Sequence, residues 1–167
     1  AQASYRAQYP LAFQPLKDTE RYQRFYYQLQ KNVDEHIGTV LRALTKSGPQ
    51  YRDTIVIYLS DHGELLGSHG GMFQKWAAAY DEVLRVPLVF HNPELFATSE
   101  STDLLTSHAD LIPTMLGLAG LDPKVLARHL RTTHTQVREL PGRDLSGFVL
   151  GEVDEAQVPG DSVYFMT

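Results

Sequence analysis

A run of apolar residues at positions 54–60 constrains the fold of this chain more than any other feature. It reads Thr-Ile-Val-Ile-Tyr-Leu-Ser, is rich in β-branched residues, and does not alternate between apolar and polar side chains. Such runs are typical of strands that are buried on both faces in a parallel sheet covered by helices. A second apolar run, at 86–90, predicts another strand. It contains Pro87, which a strand tolerates only near its start.

Helical periodicity accounts for much of the remaining chain. Apolar residues that recur every three or four positions predict a helix of about seven turns between Asp18, its N-cap, and the terminating pair Gly48-Pro49. Three aromatic residues of this helix are predicted to form a core stripe, namely Tyr22, Phe25 and Tyr26. Shorter helices are predicted at 77–84, at 111–118 with Asp110 or Ser107 as cap, and at 123–130 with Asp122 as cap.

The order helix, strand, helix, strand, helix predicts an α/β fold with a mostly parallel sheet flanked by helices. A length of 167 residues fits one domain. We expect residues 1–167 to form a single partial domain. Within it, residues 1–17 are expected to be an irregular lead-in, residues 131–160 mostly loop, and residues 161–166 a last strand.

Composition excludes several classes of protein. A formal net charge of -5 argues against a general nucleic-acid-binding protein. Because the chain has no cysteine, a disulfide scaffold, a cysteine zinc site and a thiol nucleophile are excluded within these residues. No segment has the roughly 20 apolar residues of a membrane span. No signal-peptide pattern is present, and the sequence leaves the compartment open between cytoplasm, periplasm and the exterior.

Polar residues follow the first predicted strand, at the sheet edge where open parallel sheets bind ligands. They read Ser60-Asp61-His62-Gly63-Glu64. Asp61 and His62 offer a carboxylate oxygen and an imidazole nitrogen, both suited to a divalent cation, and Gly63 allows a sharp turn. The alternative is that Asp61 caps a turn and His62 is an ordinary loop histidine.

A second group of polar residues follows shortly after. His69 lies between glycines, and Lys75 stands 14 positions after Asp61. Both side chains can reach an anionic group that sits on a metal, and a lysine ammonium would act there as a point charge for an oxyanion of sulfate or phosphate. Taken alone, His69 also fits a turn and Lys75 a solvated surface.

The complete set of motifs resembles the sulfatases of the alkaline phosphatase superfamily, which include arylsulfatases and phosphonate monoester hydrolases. The resemblance is close over residues 22–120. The motifs that carry it stand in the family's order: the helix with Asp34 and Gly38, Lys46-Ser47-Gly48 before Asp53-Thr54-Ile55-Val56, Asp61-His62-Gly63, Arg85-Val86-Pro87, the segment from Ser107 to Thr114, and more weakly Pro141-Gly142-Arg143-Asp144-Leu145.

The resemblance implies roles for four residues and an alkaline phosphatase-like fold. Asp61 and His62 match a pair of metal ligands around a divalent ion, with Ca²⁺ expected and Mn²⁺ or Zn²⁺ as alternatives. Lys75 matches the lysine that binds the sulfate or phosphate group. His69 matches a histidine near the site and is grouped with Lys75 as a catalytic candidate. Asp110 and Arg85 match residues that look structural in the family.

Two parts of the family's catalytic machinery have no match in this chain. One is the formylglycine nucleophile, which arises from a Cys/Ser-x-Pro-x-Arg segment. The other is an upstream acidic pair that completes the metal site. The segment from Ser47 to Arg52 is similar but places its arginine one residue late. Two ligands cannot fill the six or more positions around a calcium ion. We therefore expect the middle-to-late part of a longer hydrolase, inactive by itself.

Three functions remain open at this point. The first is metal-dependent hydrolysis of small-molecule sulfate esters by the intact parent protein. The second is hydrolysis of phosphonate or phosphate monoesters, which the same site geometry supports. The third is a truncated, catalytically dead paralogue that acts as a binding module. Neither nucleic acid nor a membrane span is expected, a homo-oligomer is compatible with the sequence, and the organic part of the substrate is not indicated.

Overall fold

The computed structural model describes residues 19–73, 75, 78–96 and 98–160. This part of the chain combines helices with a small sheet and divides into two compact units, one ending at Glu94 and the other beginning at Leu95. Several predicted features lie outside the described residues: the lead-in at 1–17, the N-cap Asp18, the start of the helix predicted at 77–84, and the strand predicted at 161–166.

Helix α1 spans Thr19–Lys46, close to the predicted bounds, but its aromatic residues do not form a core stripe. None of its residues is buried, and the Phe25 side chain is 62% exposed. Tyr22 is half-buried because its ring meets Phe73 edge-on, with the centroids 5.1 Å apart. The prediction was wrong because helical spacing shows which residues share a face, and not whether another element covers that face.

The sheet consists of two antiparallel strands, β1 at Val56–Leu59 and β2 at Leu88–His91. Val56 pairs with His91 and Leu59 with Leu88, so the parallel arrangement that we predicted is not what the described residues form. The apolar run at 54–60 predicted a strand correctly, but apolar character carries no information about the direction of the partner strand.

Burial on both faces of β1 was also predicted and is not observed. The side chain of Tyr58 is 44% exposed, and its cross-strand partner Val89 is 49% exposed. Strand β2 starts one residue after Pro87, two positions later than predicted. Proline has no backbone N–H to donate to a strand ladder, which explains the later start.

Three short helical segments complete the described part of the first unit. The short helix α2 spans Pro49–Arg52, directly after α1, and α4 spans Asp81–Leu84. The preceding residue, Tyr80, has an extended backbone, so α4 begins later than the predicted 77–84 helix. Between them, Ser68–Gly71 forms a turn, α3, whose inner residues have left-handed backbone angles. A small core of Leu65, Met72, Ala78 and Val83, with Tyr80 packed against it, lies beneath this turn.

The second unit contains α5 at Leu111–Leu118, α6 at Pro123–Leu130 and α7 at Ser146–Val149, with 3₁₀ turns at His108–Asp110 and Glu155–Gln157. The two longer helices have the predicted bounds. Asp122 caps α6, because its carboxylate accepts hydrogen bonds from the N–H groups of Lys124 and Val125. Ser107 and Asp110 form a reciprocal capping box at the turn before α5.

An ion pair between buried Asp110 and half-buried Arg143 joins two segments of the second unit. Arg143 Nη2 lies 2.8 Å from Asp110 Oδ2, and the Arg143 N–H donates to Asp110 Oδ1 at 2.7 Å. Burial raises the pKa of Asp110, but the hydrogen bonds from Arg143 and Ser107 outweigh it and hold that pKa below its usual value. Asp110 thus has the structural role that the resemblance implied. None of the helices in the described residues is both long and apolar enough to cross a membrane.

Candidate metal and sulfate site

Asp61 and His62 follow β1 after one intervening residue, Ser60, and the structure brings their side chains together. Asp61 Oδ2 lies 3.2 Å from His62 Nε2, and Asp61 Oδ1 accepts a hydrogen bond from the His62 backbone N–H at 2.9 Å. On the other side of the ring, His62 Nδ1 lies 3.0 Å from the Gly63 carbonyl oxygen. Both ring nitrogens of His62 thus face an oxygen acceptor, the Gly63 carbonyl at Nδ1 and the Asp61 carboxylate at Nε2. A ring with its proton on Nδ1 would leave the Nε2 lone pair for a cation shared with Asp61.

This pair of atoms fits a divalent cation. Two ligand atoms that occupy neighbouring positions around one ion, each at about 2.0–2.4 Å from it, lie roughly 3 Å from each other. Asp61 Oδ2 and His62 Nε2 have this separation. Metal-binding histidines commonly donate a hydrogen bond from the ring nitrogen that does not bind the metal, and the Gly63 carbonyl stands at the position of that acceptor beside His62 Nδ1. The Asp61 side chain is 81% exposed, so a ligand can reach it. No group of three or more metal-ligating side chains occurs among the described residues, so further ligands would have to come from elsewhere.

Gly63 is required here for a different reason from the predicted sharp turn. An added Cβ would lie 1.8 Å from the backbone carbonyl oxygen of Glu82, so one of the two backbone segments would have to shift. The close approach arises because the Gly63 N–H donates to the Val83 carbonyl at 2.9 Å and the Glu64 N–H donates to the Glu82 carbonyl at 3.1 Å. These backbone hydrogen bonds hold Gly63 and Glu64, which follow the proposed metal ligands Asp61 and His62, against α4.

His69 lies in α3 and contacts Tyr80, the residue before α4, and Glu82, which lies within α4. Its Nε2 is 3.1 Å from each carboxylate oxygen of Glu82. Its ring stacks on that of Tyr80, with centroids 3.7 Å apart and planes inclined by 13°. The hydrogen bond from His69 lowers the pKa of Glu82 below its usual range, so this carboxylate is ionised at neutral pH.

Lys75 is half-buried and follows the buried residues Met72 and Phe73. Its carbonyl oxygen accepts a hydrogen bond from the Ala78 N–H at 3.3 Å. Among the described residues, no contact joins the Lys75 ammonium to Asp61, His62 or His69. Of the four predicted site residues, the structure therefore brings Asp61 and His62 together, whereas His69 contacts Glu82 and Tyr80. Binding of the sulfate group by Lys75 remains a prediction.

Comparison with known proteins decides the family. The family model described as Sulfatase matches residues 1–121 of this chain. The chain belongs to the sulfatase family. The matched residues include the proposed metal pair, the turn with His69, and Lys75.

Individual sulfatases match this chain in sequence over somewhat more than half of its length. The uncharacterized sulfatase YidJ of Escherichia coli K12 is 41% identical over 102 residues, which cover 60% of this chain and 20% of that protein. An N-acetylglucosamine-6-O-sulfatase of Bacteroides thetaiotaomicron is 33% identical over 103 residues, or 62% of this chain and 18% of that protein. The chain thus spans about a fifth of the length of these curated relatives.

Solved sulfatase structures share the fold of the chain. A 2-O GAG sulfatase superposes with a TM-score of 0.68 at 28% sequence identity, over 89% of this chain and 29% of that one. The mixed arrangement of helices and sheet described above is therefore part of a sulfatase fold.

Two residues of the candidate site were not found from the sequence, Glu82 and Tyr80. Glu82 stands 13 positions after its partner His69, beside a second acidic residue, Asp81, and nothing in that spacing singles it out. The left-handed backbone at His69, which requires tight support from its surroundings, is not visible in the sequence either.

Proposed function

We propose that this chain supplies two metal ligands and the sulfate-binding lysine of an enzyme that hydrolyses sulfate esters. One observation supports the proposal most strongly: in a member of the sulfatase family, Asp61 Oδ2 and His62 Nε2 lie 3.2 Å apart just beyond the end of a strand, and His62 Nδ1 lies 3.0 Å from the Gly63 carbonyl oxygen. The proposed cation is divalent, with Ca²⁺ first and Mn²⁺ or Zn²⁺ as alternatives, because an imidazole nitrogen also suits those ions.

Asp61 and His62 would hold the cation through Oδ2 and Nε2. When bound, the cation supplies Lewis-acid polarisation of the sulfate group and orients it. Lys75 would offset the negative charge that grows on the sulfate oxygens and the leaving group in the transition state.

The nucleophile of the proposed reaction, a formylglycine, lies outside residues 1–167. These residues contain no cysteine and no Cys/Ser-x-Pro-x-Arg segment. The other metal ligands are proposed to lie outside them as well, since Asp61 and His62 provide two of the six or more positions around a calcium ion.

Sulfate esters of aryl groups and of sugars are the substrates to try first. One relative is named an N-acetylglucosamine-6-O-sulfatase, and one structural neighbour was solved with D-glucosamine-2-N,6-O-disulfate as its substrate. Sulfate and phosphate esters have the same tetrahedral shape and differ in charge, so Lys75 and a cation suit either in principle.

The natural full-length protein should be assayed on matched sulfate, phosphate and phosphonate esters, with an aryl series and a sulfated glucosamine. We expect turnover of a sulfate ester, and a loss of at least about 100-fold in Lys75→Ala, since charge stabilisation in the transition state contributes factors of that order. Lys124→Ala, which removes an exposed lysine from α6, is the matched control and should retain activity.

Other results would assign another function. Faster turnover of phosphate or phosphonate esters would reject sulfate as the substrate class. Binding of a sulfated sugar without turnover by the full-length protein would indicate a binding module. Equal activity of Lys75→Ala and the wild type would remove Lys75 from the site.

A further inference from the structure

We infer that Glu82 is a positioning residue of this site: together with Tyr80 it holds the His69 imidazole, and thereby fixes the loop that leads from the proposed metal pair to Lys75. The inference deepens the proposed function and rests on it for its catalytic consequence. Its structural part, the hold of Glu82 on His69, stands on contacts within the described residues.

The first observation is the hydrogen bond between Glu82 and His69. His69 Nε2 lies 3.1 Å from both Glu82 carboxylate oxygens. An ionised carboxylate only accepts hydrogen bonds, so Nε2 must carry the proton and donate it. Glu82 therefore fixes the tautomer of His69 as well as the orientation of its ring, in the way that outer carboxylates fix functional histidines elsewhere.

The second observation is the ring stack. The imidazole lies almost parallel to the Tyr80 ring, at a centroid distance of 3.7 Å. Tyr80 itself packs against the buried cluster of Leu65, Met72, Ala78 and Val83. The His69 ring is thus bounded on one face by a packed aromatic ring and at its Nε2 edge by a carboxylate, which leaves it little rotational freedom.

The third observation is backbone strain at His69. Its backbone lies in the left-handed region, at φ 53 and ψ 41, between Gly67 and Gly70, which also have positive φ. A residue with a side chain adopts this conformation at a cost, and it persists where the surroundings over-determine it. Glycine at position 69 would remove the strain, so the imidazole and its two partners are the reason for a histidine here.

The fourth observation is that α4 holds the loop both at its start and near its middle. The backbone carbonyl of Glu82 accepts from the Glu64 N–H, two residues after His62, while its side chain binds His69. Beyond His69, the Gly67 N–H donates to the Met72 carbonyl at 2.8 Å, and Met72 is buried three positions before Lys75. A change at Glu82 is therefore transmitted toward Lys75 through few and well-packed residues.

The kinetic test compares Glu82→Ala with Asp81→Ala in the natural full-length enzyme. Both remove one carboxylate from the same turn of α4, and Asp81 is exposed. We expect kcat/KM on the sulfate ester to fall about ten-fold in Glu82→Ala, the lower end of the range for losing an outer partner of a functional residue. Glu82→Gln should lose only roughly three-fold, because a neutral hydrogen bond is about half as strong. Asp81→Ala should match the wild type.

A double-mutant cycle separates positioning from general destabilisation. His69→Asn removes the ring but keeps a residue that tolerates the left-handed backbone. Once His69 is replaced, Glu82→Ala should change kcat/KM by less than about two-fold, because the two act through one contact. Thermal melts of every variant show whether the assayed enzyme is folded. An undiminished effect of Glu82→Ala in the His69→Asn background would overturn the inference, as would equal losses in Glu82→Ala and Asp81→Ala.

A spectroscopic test is independent of turnover and applies even if no sulfate ester is hydrolysed. Long-range ¹H–¹⁵N correlation spectra of the labelled full-length protein should show the His69 proton on Nε2. The His69 ring signals should move in Glu82→Ala and stay in place in Asp81→Ala. A proton on Nδ1 alone, or His69 signals unchanged by Glu82→Ala, would overturn the inference. Absence of turnover together with the expected spectra would reject the proposed function only.

Discussion

Each of the two units of the chain contains an aspartate within one of the family's motifs, Asp61 in the first unit and Asp110 in the second. The two carboxylates differ in exposure and in the groups that they contact. The side chain of Asp110 is 7% exposed and accepts hydrogen bonds from the backbone and side chain of Arg143 and from the Ser107 N–H. The side chain of Asp61 is exposed and contacts the adjacent residue, His62. A carboxylate whose oxygens are consumed by its own unit is structural, whereas one that faces solvent beside an imidazole can bind a ligand.

The largest expected effect on stability comes from breaking the ion pair between Asp110 and Arg143. Asp110→Ala leaves the guanidinium of Arg143, whose side chain is only 20% exposed, without its partner. Removing one member of a buried ion pair destabilises by about 3–5 kcal/mol. We expect a loss near the lower end of this range, since the Arg143 side chain retains hydrogen bonds to the carbonyls of Leu105 and Pro159. Urea unfolding of the full-length protein measures the loss, and a change below about 1 kcal/mol would contradict the structural role of Asp110.

Gly63→Ala should have the next largest effect, and it affects the site as well as stability. The new Cβ would overlap the Glu82 carbonyl oxygen at 1.8 Å, so the strand end and α4 must separate. Overpacking of this kind costs about 1–3 kcal/mol. Activity and the free energy of unfolding should both fall. Gly120→Ala is a useful contrast, because an added Cβ there meets no atom within 4 Å, although its φ of 68° adds strain. Equal activity in Gly63→Ala and wild type would contradict the close approach.

The pH dependence of stability should also report on the structural role of Asp110. The pKa of folded Asp110 lies below its usual value of 3.8, so the unfolded chain binds more protons than the folded one as pH falls through that region. The stabilisation is complete above the unfolded pKa and is lost as the pH falls through the folded pKa. In Asp110→Asn, the free energy of unfolding should therefore fall less steeply below about pH 4 than in the wild type. Equal slopes in denaturant titrations would contradict this.

The smallest expected effect on stability is that of Asp61→Asn. Its exposed side chain contacts His62 alone among the residues described here, and exposed substitutions away from special features change stability by less than about 0.5 kcal/mol. The metal-free protein should therefore unfold at nearly the same urea concentration with either residue. A loss comparable to that of Asp110→Ala would show that Asp61 is structural as well.

Sequence reasoning worked best where one local signal determines the structure. Helical spacing and local start and stop signals gave α1, α5 and α6 nearly to the residue, and the motif after the apolar run placed Asp61 and His62 just beyond a strand end. It failed where the outcome depends on residues distant in the chain. The antiparallel pairing of β1 with β2 is one such case. The hold of Glu82 on His69, across 13 residues and a strained turn, is another.

The measurement that most directly tests the central claim is the divalent metal content of the natural full-length protein, by mass spectrometry of the ions, for wild type and His62→Ala. His129→Ala, which removes an exposed histidine of α6, is the matched control. We expect the wild type and His129→Ala to carry a bound divalent ion and His62→Ala to lose most of it along with activity. Equal metal content in all three proteins would show that Asp61 and His62 do not form the site.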